Sequence, residues 1–434
     1  MDVVVISREI IKPSSPTPAH LRSYKLGLLD QYQPPIYVRI LLFYSANGVV
    51  DRHKNAKTTN LLKKSLSETL TVFYPVGGRF NDDQSIDCIN DGVEYLEARV
   101  TGRIEVVLAC PKAEDLNQLL PPYVRPLGFD GISSIQVNIF DCGGMAIGMS
   151  VPHIIADASS LSTFLNHWAA IARGANEKVS PKRLGFASLF PPRDVPWVVK
   201  YDAYKEGNPT IPRFVSKRFV FDALKISALK AKYSEKSYVE CPTRVEAVGA
   251  LVLRCMMKAA SGLTKSKIIN TIINFRRRTN PPQPQNSFGN LVFGIILPPW
   301  TTGSEPELHC LVRQLQEKIR KIDSDYTKQQ LADKGLLLCH YLNQVSEMYS
   351  EKYTNVYTFS SWCRFPFYKA DFGWGQPIWA SPVNLTMKNS LTLMDTKNGD
   401  GIEAWVTLDE EDMARLECEQ ELLAFACANA IVYE

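Results

Sequence analysis

The sequence predicts a protein of intermixed helices and strands, of the α/β or the α+β kind, built as more than one domain. Strand-type alternation and helix-type periodicity are interleaved along the whole chain, which neither an all-α nor an all-β fold would show. At 434 residues the chain exceeds one ordinary core, so two or three domains are expected, with two large ones among the possibilities. Residues 181–216 break the pattern with PKRLGFASLFPPRDVPW and KEGNPTIPRF, rich in proline and polar punctuation, and read as a crossover between domains.

In the first half, SIQVNIF (134–140), the turn DCGG and MAIGMSV (145–151) read as a β-hairpin whose second strand is buried on both faces. A helix follows. Leu161, Phe164, Leu165, Trp168, Ala169 and Ala172 recur along it at helical spacing, and Ser159 or Ser160 is the expected cap. In the second half KRFVF (217–221) is a strand, and PTRVEAVGALVLRCMMKAA opens on the capping-box pair Thr243 and Glu246 before an apolar helix. IINTIINF (268–275) and LVFGIIL (291–297) are strands, and amphipathic helices are expected near 305–322 and 334–349. The stretch SLTLMDTKNGDGIEAWVTL is a hairpin that turns at Asn398 and Gly399.

With 45% hydrophobic and 22% charged residues the composition is globular. A net charge of +4, without a basic run interleaved with aromatics, argues against nucleic acid as a partner. The opening MDVVVISREIIKPSSPTP has a short apolar stretch broken by Arg8 and Glu9, so it reads as neither signal peptide nor anchor. No run approaches the roughly 18 to 20 apolar residues that span a bilayer. The ten cysteines are scattered without a CxxC pair, as expected of reduced thiols in the cytosol, many of them small core residues. Six histidines without HxxxH or HExxH spacing give no reason to expect a metal. Without heptads, a monomer is expected.

The stretch SVPHIIADASS (150–160) places His153 and Asp157 where a buried strand hands the chain to a helix. In the plainer reading Asp157 is a helix cap and His153 a hydrogen-bonded histidine at a strand end. In the other, His153 is a general base at the kind of strand end where open sheets place their sites. Asp157 could then orient the imidazole, as in a triad, or turn away and brace the loop against an arginine. NFRRR supplies Arg276, Arg277 and Arg278 at the end of a strand; these are open to the reading of a solvated strand end as well.

A second constellation is SSWCRFPFYKADFGWG (360–375). Its DFG lacks the HRD loop, glycine-rich loop and VAIK strand of a kinase, so a structural turn is expected, with Gly373 and Gly375 permitting the bend and Asp371 anchoring it. A serine nucleophile elbow is not encoded either, because GMSVP has Pro152 where the second glycine belongs. Cys142 sits in a hairpin turn a whole strand away from His153, too far to act with it.

HIIAD (153–157) and DFGWG (371–375), in this order and at this separation, resemble the paired motifs of the plant BAHD acyltransferases. The likeness runs nearly end to end through IKPSSPTP, YKLGLLDQ (24–31), YPVGGRF, IDCINDG, FDCGGMAIG, PTRVEAV, NFRRR, FGN (288–290) and GDGIEAWV. It is greatest to the vinorine synthase and alcohol acetyltransferase-like clade, whose members mostly transfer acetyl or other short acyl groups.

The resemblance implies two chloramphenicol acetyltransferase-like domains of similar fold, each a mixed sheet with flanking helices. Residues 1–180 would carry HxxxD and residues 217–434 DFGWG, with 181–216 as the crossover. It implies acyl-CoA as co-substrate, no permanently bound cofactor, no metal, and a cytoplasmic enzyme. His153 would deprotonate an acceptor hydroxyl that attacks the thioester directly in a ternary complex. Asp157 would face away and pair with Arg276, and Asp371, Gly373 and Gly375 would be structural. Ser360, two residues ahead of Trp362, would lie with Asn290 at the oxyanion and acceptor pocket. The acceptor would be an alkaloid alcohol or a simple or terpenoid alcohol.

Two departures stand out. Pro152 replaces a common serine and removes a backbone N–H, and Gln376 replaces a common lysine or arginine. They keep open the alternative of a non-catalytic scaffold that binds a metabolite or a partner, although its signature would be loss of His153.

Overall fold

The computed structural model describes the chain except residues 35, 47–51, 83–84, 123–132, 176–180, 194–213, 235–240, 261–265, 302–306, 334–340, 342, 346, 349–353, 384–386 and 433–434. In the first half, β1 (Val3–Ile11), β2 (Tyr37–Tyr44), β3 (Val93–Val100), β4 (Ser134–Phe140) and β5 (Met145–Pro152) form most of one sheet. In the second half come β6 (Phe214–Phe221), β7 (Ser266–Asn274), β8 (Val292–Ile296), β9 (Thr354–Ser361), β10 (Trp379–Pro382), β11 (Ser390–Asp395) and β12 (Ile402–Asp409). Both sheets are mixed. The first runs β1-β3-β4-β5-β2-β10 with β3 and β4 parallel, and the second runs β8-β7-β9-β11-β12-β6 with β7, β9 and β11 parallel.

The expected hairpin is β4 and β5, antiparallel and turning through Gly143 at φ 85°. Every residue of β5 is buried, because the sheet is covered on both faces and one cluster packs on each. One face carries α1 (Arg52–Val72) and α2 (Ala158–Ala172), where Leu62, Leu66 and Leu70 meet Phe164, Leu165 and Trp168. The Trp168 indole N–H, which burial would otherwise strand, donates to the Leu62 carbonyl at 3.1 Å.

On the second sheet α3 (Arg244–Ala259) opens with the expected capping box, Thr243 receiving the Glu246 N–H and Glu246 receiving that of Thr243. The helix α4 (Leu308–Arg320) buries Leu311, Val312 and Leu315 against it. Gly399, at φ 76°, turns the hairpin of β11 and β12.

Four expectations need correction. The cap of α2 is neither Ser159 nor Ser160 but Asp157, as the plainer reading of His153 and Asp157 had it, its carboxylate accepting the Ser160 N–H at 2.8 Å; a charged acceptor also complements the helix dipole. The strand β6 already begins at Phe214, inside the expected crossover, most of which lies outside the described residues. Of the nine described cysteines only Cys88 and Cys255 are buried, so few are core residues. Sheet membership also departs from chain order, because β10 leaves the second half and pairs with β2, Trp379 opposite Phe43. The helix expected at 334–349 falls largely outside the described residues. No helix among those described is long and apolar enough to cross a membrane.

The β10 excursion ties the two sheets together. Trp379 stacks on Phe43 at 5.2 Å and on Trp405 of β12 at 6.2 Å. Its indole N–H donates to Glu403, which Arg218 of β6 holds at 2.8 Å in a buried pair. The DFGWG segment arrives with this excursion and packs on the first sheet, the Tyr44 hydroxyl donating to the Ala370 carbonyl at 2.7 Å and Phe372 meeting Trp168 edge-on at 4.9 Å.

Candidate active site

His153 leaves the end of β5 and stays in register with it, its N–H donating to the Ile36 carbonyl at 2.8 Å. Pro152 costs little there: the ladder between β4 and β5 ends at Ser134 opposite Ser150, before Pro152 is reached, and its carbonyl still accepts the Ile155 N–H at 2.9 Å to form the turn into α2. The imidazole is partly exposed and lines a cavity of about 230 Å³. The first half contributes Tyr37 and His153 to this cavity, and the second contributes Asn270 of β7 with Ser360 and Trp362 at the end of β9. The cavity therefore lies where the two halves meet.

Asp157 also borders the cavity but turns its carboxylate from the imidazole. Among the described residues its hydrogen bonds go to the Ser160 N–H, the Leu291 N–H at 3.1 Å, and the Arg276 fork at 2.8 and 3.0 Å. Arg276 is 0% exposed. It also donates to the Ser160 hydroxyl at 3.0 Å and the Gly289 carbonyl at 2.9 Å, and lies over the Phe186 ring. A buried pair offsets its desolvation only when the remaining protons and lone pairs are satisfied, as they largely are here. Burial pushes the Asp157 carboxyl up, but Arg276 and the two backbone N–H groups overcome this and hold it below the usual aspartate range.

Burial pulls the His153 imidazole below its ordinary pKa, opposed by its own carbonyl, by the Asp157 charge and by Asn290. The shift favours the neutral ring, the form that a base needs. The acid limb of a kcat/KM profile should have its midpoint below the ordinary histidine value of about 6.5, and a rate that already falls as pH drops from about 8 to 7 would contradict this assignment.

Of the expected site residues, His153, Asp157, Ser360 and Trp362 meet at the cavity, and Arg276 stands one layer behind through Asp157. Asn290, expected at the oxyanion and acceptor pocket, is 0% exposed and lines no part of it. Its amide is used behind His153, donating to the His153 carbonyl at 2.8 Å and to Asp30 at 2.9 Å. Asp30 was not singled out by sequence. The available signal was a lone acid in the apolar stretch LGLLDQ, three residues after a glycine.

Asp371, Gly373 and Gly375 lie outside the cavity. One Asp371 oxygen accepts the N–H groups of Gly373 and Gly375 at 2.8 and 3.0 Å, and the other faces Arg173 at 3.5 Å. Both glycines sit at positive φ, 107° and 106°. Gly375 has open space where a Cβ would go, so Gly375→Ala meets only backbone strain. It should cost about 1–3 kcal/mol in chemical denaturation while leaving the activity per folded molecule near wild type. Gln376 is exposed. Among the described residues no group of three or more His, Cys, Asp or Glu side chains could hold a metal.

The model of the Transferase family matches residues 1–423. The chain is 37% identical over 444 residues to a limonoid 21-O-acetyltransferase of Citrus sinensis, covering 100% of both. It is 36% identical over 422 residues to the stemmadenine O-acetyltransferase of Catharanthus roseus, covering 95% of each. Among solved structures, vinorine synthase superposes with a TM-score of 0.81 at 33% identity, covering 98% of both chains. The chain belongs to the Transferase family of plant BAHD acyltransferases, and is an acyltransferase.

Proposed function

We propose that the protein transfers an acyl group, acetyl foremost, from acyl-CoA to the hydroxyl of a small terpenoid or alkaloid alcohol, with His153 as general base. The observation that carries this reading is a partly exposed imidazole at the cavity between the two halves, to which no carboxylate is bonded among the described residues. The O-acetyl transfer named for the Citrus and Catharanthus relatives supports it.

The acceptor O–H gives its proton to the imidazole as its oxygen attacks the thioester carbonyl. The new C–O bond forms, the carbonyl becomes an oxyanion, and in this reading the hydroxyl of Ser360, a residue of the cavity wall, donates to it. Collapse breaks the C–S bond, and the imidazolium returns the proton to the departing thiolate. Asp157 and Arg276 brace the loop that carries the base. In this reading the halves on either side of 181–216 are two acyltransferase domains, with residues 362–382 of the second crossing onto the sheet of the first.

Purified protein should form an ester, identified by mass spectrometry, from acetyl-CoA and at least one member of a panel of limonoid, indole-alkaloid and simple alcohols. Absence of ester with every alcohol and with longer acyl-CoA donors would overturn the proposal.

A further inference from the structure

The mechanism leaves one buried acid without a task. Asp30, in the helical turn Leu28–Gln31, is 1% exposed and accepts three N–H groups. Gly27 N–H reaches one oxygen at 2.8 Å, and the Asn290 backbone N–H and side-chain amide reach the other at 3.2 and 2.9 Å. An asparagine amide has two protons. The second goes to the His153 carbonyl at 2.8 Å. With both spent, the Asn290 oxygen can only accept, and among the described residues no donor is bonded to it.

His153 Nδ1 is buried as well and, like the Asn290 oxygen, makes no hydrogen bond among the described residues; a buried donor and a buried acceptor left open on neighbouring side chains are each other's natural partners, and the His153 carbonyl, the Asp157 charge and the Asn290 side chain all favour a proton on this ring. Asn290 and its neighbours are anchored around this point at three consecutive residues: Gly289 to the Ser160 hydroxyl, Asn290 to Asp30 and Leu291 to Asp157. A neutral imidazole carries one N–H, and the partner of one nitrogen decides which nitrogen keeps the lone pair. Resting on the reading of His153 as the base, we propose that Asp30 and Asn290 are its positioning residues. Asp30 locks the Asn290 amide, Asn290 locks the His153 carbonyl, and these oxygens hold the proton on Nδ1 so that Nε2 presents its lone pair to the acceptor hydroxyl. The titratable groups that face Asp30 are Asp157 and Tyr24; burial pushes its carboxyl up to about 7, against the pull of the three N–H groups.

The test is ¹⁵N-histidine NMR on the full chain, with the His153 resonances among the six histidines assigned by their loss in His153→Ala. Wild type should show the Nδ1–H tautomer. In Asn290→Ala the population should move towards Nε2–H, and the titration should fall to lower pH because a contact that favours the charged ring is gone. With acetyl-CoA and an accepted alcohol, kcat should drop about 100-fold while KM for acetyl-CoA moves little. Asp30→Asn should act in the same direction, and the double variant should be no worse than Asn290→Ala, since both break one chain. An Nε2–H wild type, folded variants with unchanged tautomer and kcat, or losses that multiply would each overturn the proposal. Should Asn290→Ala not fold, Asp30→Asn keeps the side-chain shape and carries the NMR comparison. That comparison needs no acceptor, so it stands apart from the outcome of the ester assay.

Discussion

Replacing Arg276 by methionine should remove about 3–5 kcal/mol of stability, because it leaves the Asp157 carboxylate buried without its partner. The guanidinium makes five of the bonds that close this site, to Asp157, Ser160, Gly289 and Ser287. The sign of the pH dependence should also reverse. In wild type the Asp157 carboxyl is held low, so its contribution is present above the unfolded aspartate range, near 3.9, and is lost as pH falls through the folded value. Without Arg276 only burial and weaker N–H donors act, the carboxyl rises, and acidification from pH 7 towards 5 should stabilise the variant relative to wild type. Urea unfolding of both proteins across that range checks the claim. Equal midpoints at pH 7 would contradict it. Asp157→Asn separates the brace from a triad member: stability should fall, but the folded fraction should keep its kcat within about tenfold.

The second large effect is on chemistry. His153→Ala removes the base but no partner that holds the fold, since the His153 backbone makes the bonds to Ile36 and Asn290. Loss of a positioned general base costs about 10²–10⁴ in rate, and the thermal midpoint should stay near wild type. An acceptor alcohol is a weak nucleophile until its proton leaves, so the loss should appear in kcat rather than in KM for acetyl-CoA.

Much of this was legible in the sequence where one residue type has one local solution. The hairpin before His153 followed from alternation and the DCGG turn, α2 and α3 from helical spacing, and the bend in DFGWG from two glycines and an aspartate. The pairing of Asp157 with Arg276 followed from family likeness; spacing alone left a triad equally open. What stayed hidden depends on residues brought together from afar. β10 is only four residues long and carries no period of its own, so its transfer to the first sheet rests on Trp379 finding Phe43, Trp405 and Glu403. The family likeness implies Asn290 at the pocket, yet Asp30, 260 residues away in the chain, draws its amide behind the histidine. Asp157 was legible as a cap, but the Ser160 hydroxyl, read as a possible cap, goes instead to Gly289 and Arg276, partners far off in the chain.

The most direct test is the initial rate of CoA-thiol release from acetyl-CoA, measured for purified wild type and His153→Ala side by side with an accepted alcohol. General-base transfer at His153 predicts a loss of at least about 100-fold in the variant, at an unchanged thermal midpoint. A folded variant that releases CoA at the wild-type rate would contradict it.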